Sequence, residues 1–134
     1  MTPHQFRCRV YYEDTDLAGI VYYANYLKFI ERGRSEWIAS LGIDQMVLRA
    51  EAGVVFAVRR VEADYLRPAK FGDDLVVETS LQSIGGARLV LEQVILRGGE
   101  RLFVAVVTLV CLTEDGHAAR MPAELRARLA GPLH

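Results

Sequence analysis

A chain of 134 residues falls within the single-domain range and leaves no room for a cofactor-binding domain beside a catalytic one, so one domain spanning residues 1–134 is expected. Hydrophobic residues make up 51% and charged residues 25%, enough to bury a core that offsets the entropy of ordering the chain, which excludes intrinsic disorder as the main state. Sixteen Lys and Arg against seventeen Asp and Glu leave a formal charge of −1, so the cationic field that nucleic-acid binding exploits is absent and no nucleic-acid partner is expected.

The amino-terminal residues carry no apolar targeting segment, and no stretch reaches the ~20 apolar residues of a spanning helix, which predicts a soluble cytoplasmic protein without a transmembrane segment. Residues 7–12 form a short β-prone run, ended by Glu13-Asp14-Thr15-Asp16 and Gly19, which read as a loop. From Tyr23 to Leu41 the period changes: Tyr23, Tyr26, Leu27, Ile30, Trp37, Ile38 and Leu41 recur at helical spacing, predicting a helix of about five turns. Gly33 lies on or beside that stripe, where the missing side chain lets another backbone come close, and Gly42 supplies a C-cap.

A short helical piece over residues 44–50 precedes a run of strands. Val55, Ala57, Val61, Ala63 and Tyr65 alternate with more polar positions, Leu75, Val77 and Leu81 do the same, and residues 88–96 are β-rich. Gly85-Gly86 and Gly98-Gly99 mark hairpin turns. Residues 102–112 are almost wholly apolar, as suits a central strand covered on both faces. Asp115-Gly116 ends it, and Pro122 opens a short helix over residues 123–129. The result is an α+β layer fold. One helix covers one face of such a sheet, so the other face or an edge needs a partner chain, and a homo-oligomer is expected.

Several chemistries lack their signatures: there is no nucleophile elbow, P-loop, dinucleotide fingerprint or H-E-x-x-H. Cys8 and Cys111 share no metal or disulfide spacing and read as small buried hydrophobes. His4 and His134 sit at the termini and His117 in a turn, poor positions for a catalytic imidazole. Catalysis therefore falls to carboxylates, tyrosines and backbone dipoles, with no metal or organic cofactor.

The stretch from Tyr11 to Tyr26 sets acidic residues and a glycine just before an aromatic-rich helix start. One account of Asp14 or Asp16 is capping, in which the carboxylate accepts from loop or helix N–H groups. The other holds Asp16 beside the positive end of the helix, where free N–H groups polarise a substrate carbonyl and the carboxylate attacks it or activates water.

Asp14-Thr15-Asp16, followed by Gly19-Ile20-Val21-Tyr22-Tyr23 and then Tyr26, Glu31, Arg34 and Glu36, resembles the signature of hotdog-fold acyl-CoA thioesterases. The resemblance is to the 4-hydroxybenzoyl-CoA thioesterase and YbgC-type group, whose YbgC branch is associated with the Tol-Pal system. It implies a long central helix wrapped by an antiparallel sheet, hydrolysis of acyl-CoA or acyl carrier protein thioesters to acid and thiol, and homodimers or homotetramers with the site at the dimer interface. It makes Asp16 the catalytic carboxylate, as nucleophile or general base. Tyr23 falls where some members carry histidine, and its phenol positions water or the acyl group. Glu31 either lines the pocket or, as the commoner case, pairs with Arg34 or stays solvated. Residues 53–56 resemble the segment that offers a backbone N–H to the thioester oxygen, and Arg59, Arg60, Arg88 and Arg97 are candidates for the coenzyme A phosphates, Arg88 foremost. Trp37 and Phe29 read as core or interface aromatics. Two rival readings are a hotdog enoyl hydratase or dehydratase, disfavoured because the helix has no histidine, and a non-catalytic binder of acyl thioesters or acyl carrier protein.

Overall fold

The structure, a computed structural model, describes residues 2–131; His134 lies outside the described residues. The elements in chain order are β1 (His4–Arg9), α1 (Asn25–Ser40), α2 (Gln45–Ala52), β2 (Val54–Tyr65), β3 (Asp74–Ile84), β4 (Arg88–Arg97), β5 (Glu100–Thr113) and α3 (Ala123–Ala130). All strands pair antiparallel in one sheet ordered β1-β3-β4-β5-β2. This is the α+β arrangement the resemblance implies, a long helix packed against an antiparallel sheet through β1, β3 and β4.

β1 starts and stops three residues earlier than the sequence suggests. Phe6 and Cys8 face inward while Gln5, Arg7 and Arg9 face solvent, an alternation that ends at Val10. Beyond it the Asp14 carboxylate accepts from the Tyr11 N–H at 2.8 Å and bends the chain into a single 3-10 turn over Tyr12–Asp14. The two tyrosines that mimic a strand therefore sit in a turn.

α1 packs through Tyr26, Phe29, Ile30, Gly33, Trp37 and Ile38, all buried. Leu27, placed on the stripe by spacing, is instead 41% exposed. At Gly33 the close neighbour is a side chain rather than a backbone: a Cβ there would meet Val77 Cγ1 at 2.6 Å. α1 thus sits tightly on β1 and β3. Gly42 follows the helix with φ of 79°, its N–H bonded to Ala39 C=O.

β5 lies between β4 and β2, and the middle strand is β4. Its inward residues Phe103, Ala105 and Val107 are fully buried, but Val104, Val106, Thr108 and Val110 on the outer face are only half-buried, so within one chain it is covered on one side. The β4–β5 turn at Gly98-Gly99 has positive φ at both glycines, as a two-residue hairpin with right-handed strand twist requires. Gln93 is a buried polar residue at the centre of the sheet. Its amide donates to Ile30 C=O at 2.8 Å and to Thr79 Oγ1 at 3.0 Å, and its Oε1 accepts from Arg34 Nη1 at 3.0 Å, tying α1 to β3 and β4.

Candidate active site

The loop between β1 and α1 is a small hairpin. Thr15 bridges Val21, the Asp16 N–H donates to Ile20 C=O at 2.9 Å, and the Gly19 N–H returns to Asp16 C=O at 3.0 Å. Gly19 adopts φ of 79° to close the turn. Asp16 Oδ1 accepts from the Ala18 N–H at 2.9 Å, a local bond that fixes the carboxylate while leaving Oδ2 free. Asp16 is exposed. Neither Asp14 nor Asp16 caps α1, whose N-cap, Ala24, has no side-chain acceptor. Main chain takes over that anchoring: Asp14 C=O accepts from the Tyr22 N–H at 2.9 Å and from Asn25 Nδ2 at 3.0 Å, joining the acidic loop to the helix start. Among the described residues the N–H groups of Tyr23 and Ala24 donate to no backbone acceptor.

Beneath this helix end lies a cluster of rings. Tyr26 stacks on Phe103 with centroids 5.3 Å apart, and Tyr65 meets both edge-on at 5.2 and 5.0 Å. Tyr65 Oη donates to Tyr23 C=O at 2.9 Å, and Tyr26 Oη accepts from the Ala69 N–H at 3.0 Å, so both phenols brace the amino end of α1. Burial pushes both hydroxyls up from the ordinary tyrosine value, keeping them protonated near neutral pH. The outermost ring, Tyr23, is 63% exposed and touches Tyr22 and Tyr65 edge-on.

Residues 18–104 match the family model described as the thioesterase superfamily. An acyl-CoA thioesterase YbgC from Haemophilus influenzae is 41% identical over 107 residues, 80% of this chain and 79% of the relative. A probable thioesterase from Bartonella henselae superposes with a TM-score of 0.86 at 39% identity, over 90% of this chain and 99% of that one. A 4-hydroxybenzoyl-CoA thioesterase superposes with a TM-score of 0.87 at 23% identity, over 95% and 100%, a likeness of fold. The chain belongs to the thioesterase superfamily.

In this thioesterase-superfamily chain Asp16 and Tyr23 flank the same helix end, but the other expected residues lie elsewhere. Glu31 is exposed and accepts from Ser35 Oγ at 2.6 Å rather than pairing with Arg34, whose guanidinium turns inward to Gln93. Burial lowers the Arg34 pKa, with the Glu31 charge only partly opposing it. Arg88 opens β4 opposite Val110, at the far end of the sheet from the acidic loop. Residues 53–56 open β2, whose other end, Tyr65, supports the site. Arg97 is committed internally: it bonds Asp73 and Glu100, both at 2.8 Å, and Pro68 C=O at 3.2 Å. Arg60 pairs with Glu62, and Arg59 is exposed. Trp37 and Phe29 are core residues, and burial raises the Cys8 and Cys111 thiols, as suits inert packing groups. Among the described residues no group of three or more His, Cys, Asp or Glu is placed to hold a metal, and no helix is long and apolar enough to cross a membrane.

Two features of the site escaped sequence reading. Tyr65 comes from a strand 42 residues beyond Tyr23, and no local pattern links them. The β2 edge also carries exposed Val58, Val61 and Tyr65 beside exposed Tyr22, Tyr23 and Leu27. A hollow of about 380 Å³ lies beside the motif, lined by Cys8, Arg9, Asp14, Asn25, Lys28 and Arg32, and Asp16 is outside its wall.

Proposed function

We propose that this chain hydrolyses acyl-coenzyme A thioesters to the free acid and coenzyme A, as a single domain working in two-fold dimers. The observation that carries the reading is Asp16, pinned by one local hydrogen bond with a free oxygen, in the loop that leads into α1 beside the unpartnered N–H groups of Tyr23 and Ala24. Those N–H groups suit the thioester oxygen, whose developing negative charge the helix end stabilises. The Asp16 carboxylate serves as nucleophile or general base at the carbonyl carbon, and Tyr23 orients the acyl group.

An exposed carboxylate gains nothing from a low dielectric, so the site is complete only when covered. The exposed apolar inner face of the β2 edge, Val58, Val61 and Tyr65, supports covering by a second copy. Antiparallel pairing of β2 with its copy about the irregularity between Val58 and Arg60 sets residues 53–56 of one chain beside residues 62–65 of the other. Arg88, opposite Val110 and so level with Ala57, then approaches the neighbouring site, where a guanidinium suits a coenzyme A phosphate. The half-buried outer face of β5 supports further pairing of dimers into tetramers. An acyl carrier protein thioester fits the same chemistry, and the absence of a spanning helix among the described residues accords with a cytoplasmic setting.

The test is thiol release from a panel of short, long and aromatic acyl-CoAs, followed with a thiol-reactive chromophore. Turnover of at least one ester that disappears in Asp16→Asn supports the reading; no turnover across the panel, or full turnover in the variant, overturns it.

A further inference from the structure

The start of α1 offers two free N–H groups, and the peptide units that carry them are held by different means. The Tyr23 N–H belongs to the unit whose carbonyl, that of Tyr22, accepts from the Asn25 N–H at 2.8 Å, so main chain fixes it. The Ala24 N–H belongs to the unit whose carbonyl is that of Tyr23. Among the described residues no backbone N–H donates to this carbonyl; its partner is the Tyr65 hydroxyl, at 2.9 Å. The Tyr65 ring is held in turn by edge-on contacts with Tyr26 and Phe103, at 5.2 and 5.0 Å. Tyr65 is the last residue of β2 and lies opposite Phe103 in the register with β5, so the anchor belongs to the sheet.

A peptide unit is planar, and a bond that fixes its carbonyl also fixes the direction of its N–H. Drawing electron density onto the carbonyl oxygen strengthens that N–H as a donor, the mutual polarisation of chained hydrogen bonds. Burial, with the phenols of Tyr23 and Tyr26 nearby, pushes the Tyr65 hydroxyl up from the ordinary tyrosine value, so it keeps its proton and remains a donor.

We propose that Tyr65 is a positioning residue for thioester hydrolysis, which aims and polarises the Ala24 N–H towards the thioester oxygen through the peptide unit between Tyr23 and Ala24. The inference rests on the hydrolytic reading of Asp16 and this helix end. Tyr65 acts through that unit and needs no contact with the reacting atoms.

Tyr65→Phe tests it, because the ring stays against Tyr26 and Phe103 while the donor goes. In the substrate-free chain, NMR should show the Tyr23 carbonyl carbon and the Ala24 amide proton moving upfield, with the Tyr22 carbonyl in place. With the acyl-CoA of the panel that wild type cleaves fastest, kcat should fall about tenfold and KM stay within about twofold. That is less than the hundredfold or more for loss of a whole oxyanion donor, since the N–H itself remains. Placing 3,5-difluorotyrosine at position 65 restores the donor with a more acidic phenol. It should return kcat to within about twofold of wild type in mildly acid buffer and lose it again, about tenfold, as pH rises through the ionisation of that phenol, where wild type holds its rate. Unmoved Tyr23 and Ala24 resonances, a loss that lies in KM, or a difluorotyrosine chain whose rate ignores the state of its phenol overturns the positioning role. A panel that the wild type leaves intact overturns the hydrolytic reading, and this inference with it.

Discussion

The two edges of the sheet are built from the same kind of strand and finished in opposite ways. β1 presents Gln5, Arg7 and Arg9 to solvent, with Gln5 bonded to Glu78 and Arg9 paired with Asp74, and its inward side chains lie under α1. β2 leaves Val58, Val61 and Tyr65 exposed on the face that should be inside. Both edges carry charge on the outer face, β2 at Arg60, Glu62 and Asp64, so the difference lies on the inner face, where exposed apolar side chains invite cover. Helix placement explains the difference: α1 lies on β1 and β3, seated at Gly33 against Val77, and meets β2 where Tyr26 packs on Tyr65 at the strand's last residue, leaving Val58 and Val61 exposed. The closed side is a stability device, and the open side is where we place the proposed pairing of chains and, with Asp16 and Tyr23, the proposed chemistry.

The sharpest way to break this contrast is Asp16→Asn. The side chain is exposed and makes one local hydrogen bond, so the thermal midpoint stays put while thiol release falls about a thousandfold. Equal losses of stability and rate would place Asp16 among the structural residues instead. Next in size is Val61→Arg, which sets a charge on the open edge; light scattering should show dimers split, and turnover should fall at least about tenfold. Arg7→Ala on the opposite edge should leave mass and rate as they are. An unchanged mass for Val61→Arg would remove β2 from the interface.

Gly33→Ala probes the closed side. A Cβ 2.6 Å from Val77 Cγ1 forces a shift that costs about 1–3 kcal/mol in denaturant unfolding, while turnover per folded molecule holds. The smallest effect concerns Asp73. Partial burial pushes its carboxyl up, but hydrogen bonds from Arg97 and the Lys70 N–H, with the charges of both residues, outweigh that and hold its pKa below the ordinary value. The folded state therefore gains stability above the unfolded-state carboxylate pKa and loses it as pH falls through the depressed value. Asp73→Asn should flatten this acid dependence by no more than about 1 kcal/mol in unfolding measured at falling pH.

The elements were legible where side-chain spacing reports burial directly. α1 and the four later strands followed from periods of 3.6 and 2. β1 was displaced because Val10, Tyr11 and Tyr12 carry strand-like side chains, while the Asp14 bond that bends them is a tertiary detail. Gln93 was invisible: one amide in an apolar strand reads as solvent-facing, and its partners lie 14 to 63 residues away. That amide also explains why Arg34 left Glu31. Asp16 stood out through its motif alone, since the physics of a carboxylate before a helix points first to capping, and neither acidic residue caps α1. The exposed inner face of β2 was beyond reach, because it depends on where α1 is seated on the sheet.

The two-residue turn at Gly98-Gly99 also orders the folding reaction. Closing β4 on β5 orders few intervening residues, whereas β2 must find β5 across a gap of more than thirty, so loop-closure entropy favours the hairpin first. The sticky edge is therefore laid onto a finished template, and because β2 precedes that hairpin in the chain, its apolar side chains wait undocked until the template exists.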